Sequence, residues 1–352
     1  MPDIYTYSKR VAIAAAIVLL VAAAFYMLGT HGYFFLLVLA AILLAVLFCG
    51  MTDWLVDKLH IKRGISLLLA VLFFFGSIVA AFWLVAPTVS KQVQEMQETI
   101  PQAVDQVQNW LTQYGWGQKL VDNVPDDMTK MVPKQDALFS NISGVFSTTL
   151  SFLADFGIVI ITALFLASNP KLYTVGLTKL FPVRSRTRVM EVLGKCYTTL
   201  KSWLVGMLSA MAVVGVSSAI GYNLIGLPMA FALALIAFFL SFIPNVGPWL
   251  AGLPAVLVGL TVGPDMALYV VLVYGGIQLI ESYVVTPIIF QKTVDLPPAL
   301  LLFFQVLLGI TQGALGLLMA APLLAILMVV INELYIKDVL EDAPPTTADA
   351  KA

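Results

Sequence analysis

The sequence predicts an all-α polytopic membrane protein with about six to eight membrane segments, and three observations carry that prediction. First, 60% of its 352 residues are hydrophobic and 11% are charged, with a mean hydropathy of +0.95. Soluble domains carry roughly 25% charged and 45–50% apolar residues, so an ordinary soluble enzyme is excluded. Second, the apolar residues are gathered into charge-free runs of membrane length. Third, two runs in the C-terminal half are interrupted by Pro/Gly breaks, the pattern of broken or re-entrant helical hairpins.

A bilayer span needs roughly 20 mostly apolar residues. Val11 to Leu28, Tyr33 to Gly50 and Gly64 to Pro87 contain no Lys, Arg, Asp or Glu and read as three spans. The first is longer than the 7–15 apolar residues typical of a secretion signal, so it is expected to be an uncleaved helix. Ala137 to Ser168 holds one charge, Asp155, near its outer end, and gives a fourth span. Basic residues set the orientation. Lys9 and Arg10 precede the first span, Lys58, Lys62 and Arg63 follow the second, and seven Lys or Arg residues from Lys171 to Lys201 follow the fourth. These segments are expected to be cytoplasmic. The turn at His31 has no Lys or Arg, and Thr88 to Asp136 has four lysines against seven acids, so both are expected outside.

The outer insert carries Val89, Val93, Met96, Ile100, Ala103, Val107, Trp110 and Tyr114 at heptad-like spacing. That seam suits either contact between subunits of a homo-oligomer or packing within one chain, with Pro101 breaking the pattern and Thr99 capping its restart. Inside, Val189, Leu193, Cys196, Leu200 and Leu204 form a stripe beside Arg184, Arg186 and Arg188. The stripe suits a helix lying along the headgroups before it turns into the membrane. Cys49 and Cys196 adjoin cytoplasmic segments and read as small packing residues.

From Ser202 to Pro264 there is no charged residue and no histidine, yet Ile243-Pro244-Asn245-Val246-Gly247-Pro248 breaks any helix there. Leu296 to Asn332 is likewise charge-free and is interrupted at Gly309-Ile310-Thr311-Gln312-Gly313. At an offset of 69 residues Leu227-Pro228 and Ala230 fall on Leu296-Pro297 and Ala299, Gly247 on Gly316 and Ala251 on Ala320; with one residue deleted Pro254 meets Pro322. Each run follows a span, Trp203 to Asn223 or Met266 to Thr286. If each hairpin returns to the side it left, the two units are inverted relative to each other and both termini are expected in the cytoplasm; the alternative, with every half-helix spanning separately, puts the C-terminus outside. The chain thus divides into spans at 1–87, an extracytoplasmic helical insert at 88–136, a span at 137–168 and a basic amphipathic helix at 169–201. A span with the first broken hairpin follows at 202–264, a span with the second at 265–333, and a cytoplasmic tail at 334–352.

Three blocks then stand out: Ile243 to Pro248 followed by Pro254; Gln278-x-x-Glu281-x-x-x-x-x-Pro287; and Gly313-x-x-Gly316-x-x-x-Ala320-x-Pro322. Together with the overall plan they resemble the autoinducer-2 exporter family of bacterial inner-membrane proteins, formerly grouped as uncharacterised permeases. The resemblance covers nearly the whole chain. It implies transport, with export of the quorum-signalling furanone for some members and sodium/proton exchange for others. Where family members often have a Leu-His-Pro sequence this chain has Leu296-Pro297-Pro298, so no titratable histidine carries over there.

An ionisable side chain near mid-membrane costs on the order of 3 kcal/mol and needs a partner or a purpose. Glu281 is the leading case. Tyr274, Gln278 and Glu281 share one helix face and form a polar stripe that suits a hydroxylated solute, a proton or a helix-helix clamp. Asn245 at the first break, and Thr311 and Gln312 at the second, with Gln305 two turns earlier, are expected to face the same cavity. Pro244, Gly247, Pro248, Pro254, Pro287, Gly313, Gly316 and Pro322 are read as hinge and packing positions. The two histidines, His31 and His60, lie in loops, and no His-Glu-x-x-His, Cys-x-x-Cys or phosphate-loop motif occurs. Enzyme chemistry, metal, nucleotide cofactor and nucleic-acid partner are therefore not expected. The reading is an inner-membrane exporter of a small polar solute, driven by a gradient. A cation/proton antiporter or ion pathway using Glu281 is the first alternative, and a non-transporting scaffold is the second.

Overall fold

The computed structural model describes residues 26–80 except 28, Trp83, 142–287 (side chains from 154) and 296–341. Almost all of the first predicted span, the outer insert with its Val89–Tyr114 seam, and the tail beyond 341 lie outside the described residues. Among the described residues the chain is helical, with no strand. Five helices are long and apolar enough to cross a membrane, and a sharply bent pair makes a sixth candidate. The chain is an all-α polytopic membrane protein.

Helix α1 (Gly32–Leu59) starts where the chain bends at His31 and ends at His60, whose φ of 54° stops the helix. Helix α2 (Arg63–Ala80) follows at once. Helix α3 (Ile142–Ser168) gives way to α4 (Pro170–Thr178) through an 85° bend. The cause is local: the Asn169 side chain accepts from the Leu172 N–H and Pro170 occupies the first helical turn, so a new helix begins there.

Helix α5 (Arg186–Leu224) is 39 residues long, roughly 58 Å. The basic stripe expected to lie along the headgroups is the first part of this uninterrupted helix. No proline or left-handed residue falls within it, and the sharp turn sits earlier, at Asn169 and Pro170.

The C-terminal half holds the broken elements. Helices α6 (Ala230–Leu240) and α7 (Gly247–Val262) flank the first break. Helix α8 (Pro264–Ile280) ends in a π-helical turn over Glu281–Val285. Helix α9 (Pro298–Ile331) runs on into a π-helical stretch, Asn332–Glu341, and is kinked at Gly313, where φ is 66° and ψ −147°.

The two breaks share a geometry. Asn245 and Gly313, 68 residues apart, are the left-handed positions of their respective breaks. A Cβ on Gly247 would collide with the Leu240 carbonyl, and one on Gly316 with the Leu308 carbonyl. Eight residues of straight helix rise about 12 Å, so the Gly316–Leu308 approach requires the two arms of α9 to fold back on each other. Pro254 and Pro322 sit at corresponding places in the return arms.

Three cores hold the helices together. Phe48 of α1 packs edge-on against Phe74 of α2, with Ala163 and Ala167 of α3 closing the cluster. Leu39 and Leu43 of α1, Leu204 and Met207 of α5, and Met319 and Leu324 of α9 form the second. The third joins the far half of α5 to α6, α7 and α8 through Val214, Tyr222, Leu233, Ala255 and Val270. Helix α5 belongs to two cores: α9 packs on its first half and the first hairpin mainly on its second, with Phe242 at the break reaching back to Trp203.

Candidate functional site

The first break collects polar side chains from both neighbouring elements. Gln305, fully buried on α9, donates from Nε2 to the Pro244 carbonyl at 2.7 Å. Tyr274, buried on α8, donates from its hydroxyl to the Pro248 carbonyl at 3.1 Å. The unwound carbonyl of Pro244 and the carbonyl of Pro248, in the first turn of α7, thus each receive a side-chain donor, one from each side of the break. Unwound backbone in an apolar interior needs such partners.

Some polar capacity remains unused. Gln278 Nε2 and Gln305 Oε1 are buried with no partner in the protein, as are Ser218 Oγ and Tyr222 OH on α5. Asn245 is exposed at the tip with a φ of 64°.

Glu281 stands toward the end of the 22-residue apolar helix Pro264–Val285, about 25 Å along it from Pro264, rather than near its middle. Its carboxylate accepts from Thr286 Oγ1 at 2.7 Å and Ser282 Oγ at 3.2 Å. No cation pairs with it among the described residues. The π-helical turn brings Thr286, five residues on, within reach, and such turns recur at functional sites.

The second break is placed differently. Thr311 bonds back to the Leu307 carbonyl of its own helix. Gln312 packs at the start of α1, where a Cβ on Gly32 would lie 2.7 Å from Gln312 Nε2. Gln305 therefore meets the first break, while Gln312, about 10 Å farther along the arm, lies at the Gly32 end of the bundle. The structure records no bond from Thr311 or Gln312 to Asn245 or Glu281. Asp155 is paired as well, accepting from the Tyr33 hydroxyl at 2.6 Å.

An apolar cavity of about 810 Å³ opens elsewhere, between α1, α2 and α5. Val46, Trp54, Phe73 and Leu204 line it, and Asp57 and Lys201 are its charged members. That lining suits acyl chains better than a polar solute.

Sequence reasoning missed one charged cluster. Glu333, its side chain 6% exposed, accepts from Lys195 Nζ and Lys337 Nζ at 2.6 Å each and from Arg188 at 3.0 Å. Arg188 also pairs with Asp338 and Glu191. This network ties the end of α9 to the start of α5, beyond the apolar stretches of both. The lysine partners hold the Glu333 carboxyl down at a pKa of about 2. The signal was visible, since Glu333 is the first charge after a long charge-free run. Nearby, Asp53 accepts from Arg63 at 2.9 Å and from the Tyr197 hydroxyl at 3.1 Å, joining α1, α2 and α5 at the same end.

Apolar helices of membrane length, two hairpins broken within them and polar side chains gathered at a break are the marks of a membrane transporter. The chain belongs to the AI-2E transporter family, whose model, described as "AI-2E family transporter", matches residues 13–336. Among its relatives, the "Putative transport protein YueF" of Bacillus subtilis is 26% identical over 277 residues, covering 76% of this chain and 75% of the relative. The "Putative transport protein YrrI" of the same organism is 26% identical over 304 residues, covering 84% and 85%. The protein is thus a multi-pass membrane transporter.

Proposed function

We propose that this transporter exports a small polar solute, an autoinducer-2-like furanone or a related molecule, across the bacterial inner membrane, driven by a gradient. The observation that carries the proposal is the pair of side-chain donors, Gln305 and Tyr274, seated on the carbonyls of the first break. A broken helix whose polar groups are met by neighbouring helices can exchange those partners for a solute. Helix α6, at 11 residues, is about 16 Å long, about half of a hydrocarbon core, which supports a re-entrant hairpin over a full span. With α6–α7 and the arms of α9 both re-entrant, the two units are inverted and both termini are cytoplasmic. A homo-oligomer is part of the same reading.

The test is flux in proteoliposomes under imposed proton and sodium gradients, with a furanone probe, comparing wild type with Glu281→Gln. Gradient-dependent movement of the probe supports the exporter, and its absence from demonstrably folded protein refutes it.

A second reading has its own observation: among the described residues Glu281 is held by two hydroxyls and no cation. Such a carboxylate suits a proton or sodium ion that binds and leaves. Ion exchange without probe movement, abolished in Glu281→Gln, would favour that reading.

A further inference from the structure

Behind the first break lies a group of polar side chains that the tip contacts do not use. Ser218 and Tyr222, one turn apart on α5, are both fully buried. The two hydroxyls face each other across that turn, and neither meets hydrogen-bond geometry with any described residue. Tyr222 faces Tyr274 of α8 with ring centroids 6.3 Å apart. Gln278 follows Tyr274 by one turn on α8 and lies beside it, its Nε2 buried and short of hydrogen-bond geometry with any described residue. The register between the two helices is fixed by Gly221, where an added Cβ would lie 2.6 Å from Val273 and 3.6 Å from Ile277. In antiparallel helices that register sets Ser218 near the level of Gln278. Tyr274 joins the group to the tip through Pro248.

Three unmet polar groups at one junction of an apolar core are unusual, since each shifts an equilibrium by about tenfold or more when left unpaired. The unmet atoms are two hydroxyls, each able to donate and accept, and one amide donor. The described elements around the group carry no positive charge: Ser202 to Pro264, which covers the rest of α5 with α6 and α7, has no charged residue and no histidine. On α8 the charges are acidic, Asp265 in the first turn and Glu281 after the last. On the first arm of α9, which brings Gln305 to the tip, there is no charge from Leu296 to Asn332. An anion entering here would be desolvated with no cation to meet it.

We propose that Ser218, Tyr222 and Gln278 form a buried, uncharged binding station for the transported solute, one that takes a neutral hydroxylated molecule and rejects anions. The proposal rests on the exporter reading and adds to it the residues and the charge class of the solute. The station is open to solvent in the state where the first arm of α9 has left the first break, and Tyr274 then exchanges the Pro248 carbonyl for the solute.

The test uses full-length protein with Cys49 and Cys196 replaced by alanine and Ser218→Cys added, reconstituted in vesicles. A neutral reagent, hydroxyethyl methanethiosulfonate, is compared with its anionic sulfonatoethyl analogue, and furanone flux is read in the same vesicles. The expected result is that the neutral reagent labels at least tenfold faster and that labelling slows in the presence of the furanone. Tyr222→Phe, which removes one oxygen and keeps the ring, lowers flux about tenfold while leaving the melting profile unchanged. Equal labelling by both reagents overturns the charge selectivity. No labelling in vesicles that still transport overturns the station and leaves the exporter standing. Selective labelling of Ser218→Cys together with no furanone flux in wild-type vesicles refutes the exporter reading while upholding an accessible, uncharged station.

Discussion

Replacing Gln305 with glutamate probes the link between the two hairpins through a sign that can be worked out beforehand. Gln305 is fully buried, its Nε2 lies 2.7 Å from the Pro244 oxygen, and its Oε1 has no partner. Glutamate keeps the shape, but an ionised carboxylate there would face the Pro244 carbonyl at a site where no described residue supplies a cation. The group therefore stays protonated in the folded state, and its O–H donates to Pro244 in place of the amide. Its folded pKa lies above the unfolded value of about 4.3, so the folded state binds more protons and stability falls as pH rises above that value. The slope is about 1.4 kcal/mol per pH unit until the folded pKa is reached, or up to about 4 kcal/mol between pH 4.3 and 7.3. From the unfolding entropy of a chain this long, that is about 5 °C in melting temperature. The assay is thermal unfolding in detergent from pH 4.5 to 8, with wild type as reference. Gln305→Met serves as companion: it loses one bond, while Pro244 keeps the Val246 N–H, and it also removes the orphaned Oε1. Its stability should lie within about 1 kcal/mol of wild type at every pH. A Gln305→Glu protein as stable as wild type at pH 8, with no slope, would show that the side chain reaches water and that the hairpins do not meet as described.

Three further outcomes follow from the same geometry. Glu333 has a depressed pKa, about 2, so its contribution is complete above about pH 4.5 and is lost as pH falls toward 2; an acid melting series should show that loss in wild type and not in Glu333→Gln. Gly247→Ala and Gly316→Ala each drive a methyl into a backbone carbonyl and should cost more than about 3 kcal/mol, read as lost monodisperse protein, whereas Gly276→Ala, with open space around it, should gain about 0.5–1 kcal/mol. Tyr33→Phe removes an exposed bond to Asp155 and should change stability by less than about 1 kcal/mol, with flux unchanged, if that pair lies off the transport path.

Composition and charge-free runs were enough to read the helices, because a bilayer leaves the backbone few alternatives. The two breaks were legible for a related reason. A Pro-Asn-Val-Gly-Pro sequence or a Gly-bounded polar pair inside an apolar run has no comfortable place in a straight helix, and both appear as left-handed turns with blocked glycines. Partners were not legible. The Tyr274–Gln278–Glu281 stripe has helical spacing, yet Tyr274 reaches Pro248 on another helix while Glu281 bonds to Thr286 beyond its own turn. Spacing fixes which residues share a face and says nothing of what stands opposite. The Arg188–Glu333 network is the extreme case, with 145 residues of sequence between two side chains that touch. The sharp turn escaped as well, since amphipathic spacing in Val189 to Leu204 fits a surface helix and the start of a span equally, while the 85° bend falls at Asn169-Pro170.

The packing also limits what moves in the proposed cycle. Helix α5 meets α6 at Gly215, where an added Cβ would be 2.9 Å from Phe238, and meets α8 at Gly221 against Val273. Side chains seated in glycine notches have to climb out before the helices can slide, so α5, α6 and α8 are held in register. The return arm of α9 is comparably fixed, with Met319, Ala320, Leu324 and Ala325 buried and Glu333 tied to α5 at its end. The first arm of α9 is different. Phe303, Val306, Leu307 and Ile310 are exposed along it, and its polar links inward are Gln305 to Pro244 and Gln312 at Gly32. Gly313, at a φ few other residues tolerate, joins that arm to the fixed one. In the proposed cycle the arm Pro298 to Gln312 therefore swings about Gly313, and Gln305 is the contact whose release lets the first break take on a solute.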